Sequence, residues 1–445
     1  MIRLFQIKDS LANKISYYHL MLLMASLPFD RFYSHLILIS LAVHTLIHWN
    51  KNSIKPIFNL RTLALQSVFY VTVLSTIYTI NRAEAFNEWG KHITIFLFPL
   101  LFCLNPLDLK KYRPQLLMSF ALVCTATVVY LYFDAFITMR YYRLPFKALF
   151  SGAFTNHNFS EPIDMHATFF SMQVLLSLVY MFSVLIKERA VYNKIFYLIC
   201  SIILTAGLIQ LSSKSIFMVL IIVINIALPY FLLQGRARLK FILVSASFSV
   251  LLAIGILSSS ALRAHYITAL KQDLSKTSAG AATDSRMARW NVSIGLISKT
   301  PVIGYGAGSE MGLLHEEFYN KKLYNSYLNG LNTHSQYLSF LIKSGFFGLL
   351  VYIATLAFGF EISFRQKDLL FFTFLMLIAI ISLSENLLDV DKGIFYYAFF
   401  FSFFIFSDGP GGDQVGPGIN KSSVVSPKSQ VVRKKREIKL ETSEL

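Results

Sequence analysis

His334 lies in NTHSQYLSFLIKSGFFGLLVYI (332–353), where a polar loop turns within a few residues into an apolar run long enough to enter a bilayer. An imidazole of ordinary pKa, near 6.5, accepts a proton at neutral pH, so a histidine at such a lip can serve as a base for a hydroxyl. The plainer alternative is an interfacial helix cap. Arg286 and Arg289 stand three residues apart and share one face of any helix that holds them. A guanidinium grips phosphate oxygens in a bidentate fork, although a lone arginine at an interface also snorkels to lipid phosphate. Lys214 stands in LIQLSSKSIFM, at a short break between two apolar runs. A cation there is costly unless it is paired or faces a wet cavity. Asn332 and Gln336 flank the histidine, while Glu161, Asp164, His166 and Glu385 lie near other span ends. Any of these can orient a hydroxyl substrate or a base, and each reads equally well as a solvated loop end. Asp389-Val390-Asp391 has the spacing of a metal-binding Asp-x-Asp pair, but three-residue patterns arise readily by chance. No metal and no cofactor are expected.

The elements that carry these residues are set by composition. Hydrophobic residues make up 55% of the 445, Phe alone numbers 41, and only 15% are charged, which excludes a string of soluble domains. Apolar runs near 15–30, 33–49, 62–80, 89–104, 115–137, 163–186, 194–212, 215–233, 239–258, 335–360, 369–385 and 394–407 are each about long enough to cross a bilayer as a helix. The expected fold is therefore all-α, a polytopic membrane protein of about twelve transmembrane helices. The first run passes almost directly into the second, which fits an uncleaved helix rather than a signal peptide.

A formal charge of +17 invites a nucleic-acid reading, but the basic residues follow membrane topology. With the N-terminus placed inside, most Lys and Arg fall in the inner segments, and half of the outer ones sit in one long loop, which reports orientation poorly. Both termini are expected in the cytoplasm, with membrane lipids as surroundings and no nucleic acid as partner. Cys103, Cys124 and Cys200 fall within apolar spans without metal or redox spacing, so they read as packing residues.

Four regions follow: helices 1–9 over 1–258, an outer loop over 259–334, helices 10–12 over 335–407, and a basic disordered tail over 408–445. The tail is rich in Gly, Pro, Ser and Lys, and its Arg433–Arg436 run suits anionic lipid. Within the loop, SRMARWNVSIGLISKTP places Trp290, Ile294 and Ile297 at helical spacing, which predicts an amphipathic helix ending at Pro301. PVIGYGAGS (301–309) follows no strand and opens no Rossmann helix. It reads first as a tight turn that lets the loop approach the bundle, and second as a source of backbone amides for an anion.

Taken in order, SRMARWNVSIGLISKTPVIGYGAGS and LNTHSQYLSFLIKSGFFGLLVYI resemble the signature of the O-antigen ligase superfamily: Arg, three residues, Trp, then Pro-x-x-Gly-x-Gly, then His beside a re-entering helix. DMHATFFSMQV and SENLLDVDKGIFYYAFFFSFF resemble its Bacteroidetes-like branch, so that the likeness covers roughly residues 150–407. The resemblance implies a metal-independent membrane glycosyltransferase of the bacterial inner membrane, acting at the periplasmic face. Its donor would be a glycan on undecaprenyl diphosphate, and its acceptor the lipid A core or another glycan hydroxyl. It implies His334 as the base and Arg286 as the principal diphosphate clamp, with Arg289 in reserve. Lys214 stands where relatives usually have arginine, keeping the charge but losing the planar fork. Ser335 replaces the asparagine that commonly follows the histidine. A polysaccharide polymerase shares the signature. A transporter is the rival from another class, but the halves show no internal repeat and the cations cluster near one face.

Overall fold

The computed structural model describes residues 5–49, 55–258 and 284–407, and positions 268 and 271 singly. The expected basic tail and most of the first part of the outer loop lie outside the described residues. The described chain is helical throughout, without strands. Nine long helices come first: α1 (Leu11–Ser26), α2 (Arg31–Ile47), α3 (Leu60–Ser75), α4 (Arg82–Leu104), α5 (Leu109–Tyr141), α6 (Ala167–Lys187), α7 (Val191–Leu211), α8 (Lys214–Leu232) and α9 (Gly235–Ser258). In the intervening loop lie α10 (Arg286–Ile297) and α11 (Glu310–Asn320). Three helices close the described chain: α12 (Gln336–Gln366), α13 (Leu369–Ile381) and α14 (Asp391–Ser407).

Each apolar run expected to span falls on one of these helices, and α5, α6, α7, α8 and α12 are long and apolar enough to cross a membrane by length and composition. Their starts follow from local chemistry. Ser10, Asp30, Asn81, Asp108 and Asp368 each accept a hydrogen bond from a backbone amide of the first turn, satisfying donors the helix cannot. Pro229 cannot donate to the ladder of α8, and the helix widens into a π turn over Val223–Ala227 just ahead of it.

The core is aromatic. The α14 sequence IFYYAFFFSFFIF is buried on every side, as an all-round apolar helix must be. Phe98 of α4 meets Phe395 and Phe399 edge-on, and Phe371 and Phe374 of α13 pack on Phe401 and Phe404. Edge-to-face rings add to the burial term, so α14 serves as the post on which α4, α5 and α13 are hung. At one end the Arg113–Asp368 pair ties α5 to the start of α13. At the other, Arg31 pairs with Asp391, and Lys392 donates to the carbonyl of Asp164.

Two helices carry detail that the sequence pattern does not give. The run over 335–360 is not one straight helix: α12 breaks at Gly345, whose φ of +60° and ψ of −160° leave the helical region. In the loop helix α10, Trp290 and Ile297 are half-buried beside the inner face. Arg289, Val292, Ser293 and Leu296 are buried, whereas Ile294 is exposed. Leu314 and Phe318 of α11, with Ile342, complete a small cluster that takes Val292 and Leu296, so packing against α11 and α12 sets the rotation of α10.

Candidate active site

The turn that presents His334 is held from both sides. His334 adopts φ +48°, a left-handed conformation costly for a residue with a Cβ, so the surroundings must over-determine it. Asn332 Oδ1 accepts from the His334 N–H at 2.9 Å, and the Trp290 indole donates to the Thr333 carbonyl at 3.0 Å. Asn386 Oδ1 accepts from the Ser335 N–H at 2.8 Å and from the Thr333 hydroxyl at 2.9 Å. The Gln336 N–H reaches the carbonyls of Ser382 and Glu385, and its side-chain oxygen accepts from the Leu388 N–H at 2.6 Å. Asn332 and Gln336 thus serve the turn itself, with Gln336 fully committed to backbone.

His334 Nδ1 lies 3.4 Å from Glu385 Oε2, and the imidazole keeps 27% of its surface open. Burial alone would raise the Glu385 pKa. The His334 hydrogen bond, with the positive fields of His334, His166 and Arg286, outweighs it and holds this carboxyl below its ordinary range. An ionised Glu385 accepts, which assigns the ring proton to Nδ1 and leaves the Nε2 lone pair outward, the arrangement of a carboxylate-oriented base. Glu385 is therefore not a solvated loop end.

Arg286 lies within electrostatic reach of this pair, and the helix that Lys214 opens starts beside the turn that carries Glu385. Arg286 opens α10, capped by Ser285, and its buried Nε has no hydrogen-bond partner among the described residues. Arg289, one turn on, is buried along the inner face of α10. Lys214 is the first residue of α8, after a left-handed Ser212 that makes the break between α7 and α8. The hydroxyls of Ser215 and Ser384 are 2.7 Å apart and share a hydrogen bond, so the first turn of α8 abuts the turn that carries Glu385.

His166 caps α6, accepting at Nδ1 from the Thr168 N–H at 3.3 Å. Desolvation and the neighbouring His157 ring, 4.0 Å away between centroids, push His166 down to about 4 against the upward pull of Glu385. His157 Nδ1 accepts from the Ala167 N–H, and its ring lies tilted against that of His166 over one helix start. Asp164 takes a left-handed turn, and its contribution to the fold is the carbonyl that receives Lys392. His157 was absent from the sequence-based candidates, although it stands nine residues before His166 in the same loop.

A second missed group lies beneath. Lys343, within α12 just before its break, is ringed by Asp389 at 2.7 Å, Glu88 at 2.8 Å and Glu310 at 3.5 Å. Glu310 also accepts from the Asn386 amide at 2.9 Å, from Thr333 N–H and hydroxyl at 3.3 and 3.2 Å, and from Ser339. Burial raises the Glu310 pKa beyond what Lys343 restores, whereas Asp389, also opposed by burial, is held low by Lys343 and its hydrogen bonds. Glu310 and Asp389 thus share the charge of one ammonium unequally, Glu310 keeping a proton more readily than Asp389. Asp389 turns to Lys343 and Asp391 to Arg31, so the Asp-x-Asp pair does not converge.

The glycine loop explains the break in α12. Tyr305 and Gly306 N–H groups donate to the Ile342 and Lys343 carbonyls at 2.8 Å, while Phe346 N–H donates to Pro301 and Phe347 N–H to Val302. The loop supplies the partners that the interrupted helix gives up, as backbone at membrane depth requires. A Cβ on Gly304 would stand 2.5 Å from the Ile342 carbonyl, and one on Gly345 2.2 Å from that of Val302. The glycines are thus spent on close approach to the bundle.

The family model described as O-Antigen ligase matches residues 198–353, from α7 through the break in α12. The match includes Lys214, Arg286, Arg289 and His334. The chain is a multi-pass all-α membrane protein, and this stretch of it matches the O-antigen ligase family that its motifs resemble. That match supports a membrane role of the O-antigen ligase or polymerase type. No curated protein matches the chain.

Proposed function

We propose that the protein transfers a glycan from undecaprenyl diphosphate to a hydroxyl acceptor, with ligation to a lipid A core as the reaction. The observation that carries this reading is the meeting, at one end of the bundle, of a carboxylate-held histidine with cations from two separate elements. The acceptor hydroxyl gives its proton to His334 Nε2 as its oxygen forms the new bond to the anomeric carbon. The bond from that carbon to the diphosphate oxygen breaks, and undecaprenyl diphosphate leaves with its added charge against Arg286 and Lys214, with Arg289 behind. Cationic side chains here take the place a divalent metal holds in other diphosphate chemistry. The site faces the periplasm and both termini the cytoplasm, which suits a donor already carried across the membrane.

The test is transfer in vitro with purified protein and extracted lipid-linked glycan, presented with lipid A core or with donor alone, in the presence of EDTA. Product on lipid A core in EDTA is the expected result. Elongation from donor alone would assign a polymerase instead, and activity restored only by magnesium or manganese would overturn the metal-independent mechanism.

A further inference from the structure

We infer that a cavity of about 340 Å³ between α5 and the segment 153–162 is a sugar subsite for a glycan lacking acidic groups. This rests on the glycan transfer proposed above and adds to it the place and charge class of the saccharide. The 33 residues of α5 contain one acid, Asp134, near the end that carries the loop to His166. Leu131, Asp134, Ala135 and Thr138 fall on one helical face, and that face lines the cavity. An acid in an apolar helix is costly unless it faces a wet space, and here it does.

Across the cavity stand Asn158 and Glu161. Neither the Asp134 nor the Glu161 carboxylate has an ion-pair or hydrogen-bond partner among the described residues, in a chain whose formal charge is +17. The wall is built before any ligand arrives. Asn158 donates to the Gly152 carbonyl at 2.8 Å, and the Gln210 amide of α7 donates to the carbonyls of Leu149 and Phe154 at 2.6 and 2.5 Å. Phe154 and Phe159, both buried, form an apolar floor.

Two unpaired carboxylates repel an anion, so the diphosphate belongs elsewhere, with the cations. They accept hydroxyl protons well, and an ammonium better, while an apolar floor suits the C–H face of a pyranose. The volume is at the lower end of small-molecule sites, which span roughly 300–1,000 Å³. Position completes the case. Asn158 follows His157, whose ring packs on His166, and His166 shares its field with Glu385 and His334. The cavity wall is therefore continuous with the loop that leads to His166.

The test uses the purified full chain in detergent and saturation-transfer NMR with three probes: chitotetraose, its de-N-acetylated form, and tetragalacturonate. The first two should bind, the amino form more tightly, and the galacturonate should not. D134A/E161A should weaken the bound probes about tenfold, the scale of lost hydrogen bonds to charged groups. D134N/E161Q, which keeps the shape, should hold chitotetraose but lose the preference for the amino form. In transfer assays D134A/E161A should raise KM for the glycan with little change in kcat. Preference for galacturonate, no binding by any probe, equal binding by wild type and D134A/E161A, or occupation by phosphatidylethanolamine that the sugars do not displace would each overturn the subsite. Probe binding lost with Asp134 and Glu161 in a protein without transfer would keep the subsite and sink the transferase reading. Transfer with wild-type KM in D134A/E161A would do the reverse.

Discussion

Two clusters of ionisable groups lie within a few residues of each other, one at the rim around His334 and Glu385, the other around Lys343, Asp389, Glu88 and Glu310. The rim pair is part-open and loose, with 3.4 Å between His334 and Glu385. The deeper cluster is closed and tight, with contacts of 2.7 and 2.8 Å to Lys343. Strands of the same chain run through both: Thr333 and Asn386 bond to Glu310 below and shape the histidine turn above. Under the proposed function, the difference separates a device that gains and loses a proton from one that holds its place. A saturated buried network fixes position, whereas spare capacity at the rim is what acid–base chemistry uses.

The largest effect should come from opening the deep cluster. Lys343→Met leaves three carboxylates without their cation, and removal of one partner from a buried pair costs about 3–5 kcal/mol. Thermal unfolding in detergent should show a protein that barely folds. A variant of normal stability would mean that the cluster is not the anchor of the turn.

His334→Ala should leave thermal stability nearly unchanged while transfer falls by roughly two to four decades, the range for loss of a general base. Donor binding, followed with labelled lipid-linked glycan, should persist. Glu385→Gln should lower transfer less, since the base remains and only its orientation suffers. Near-normal transfer by a folded His334→Ala protein would return that residue to the role of an interfacial cap.

Arg286→Ala should weaken donor binding and transfer together, because the diphosphate is charged before and after the bond breaks. A loss of about tenfold or more is expected for a charge-assisted contact of roughly 1.5–3 kcal/mol. Lys214→Arg restores the fork usual in the family and should retain or improve transfer. Sharp loss in Lys214→Arg would show that the position needs a compact ammonium.

The smallest effect concerns pH. The folded pKa of His166, about 4, lies below its ordinary value, so the unfolded chain takes up its proton first as pH falls. This contribution is complete above about 6.5 and is lost progressively from there down to about 4. Glu385, held below 4.5, contributes above that value and loses its share only at still lower pH. The melting temperature should therefore drop between pH 7 and 5, and His166→Asn, which keeps a cap at the start of α6, should flatten the drop. An unchanged slope in His166→Asn would place the acid sensitivity elsewhere.

Much of this was legible in the chain. The start of α10 at Arg286, the break before Lys214 and the lip at His334 each follow from hydropathy and capping within a few residues. The amphipathic helix α10 was legible from Trp290, Ile294 and Ile297, but its rotation was not, because the partner surface of α11 and α12 takes Val292 and Leu296, with Ile297 beside them and Ile294 left exposed. Nothing local singles out Lys343, because its three carboxylates come from α4, α11 and the turn before α14.

By itself the sequence determined that the protein is an all-helical membrane chain, roughly where its long apolar helices lie, and which residue types stand at the rim, because burial pattern and end-capping are local properties. Only the tertiary structure decided that Glu385 holds His334, that Asn386 and Glu310 brace the turn, and that Asp134 faces a cavity rather than lipid. The partners in the rim and in the cluster beneath it lie tens to hundreds of residues apart in the chain. Their meeting depends on how helices rotate against α14 and on where the glycine loop splits α12, and those choices are made by packing between elements, which no local pattern encodes.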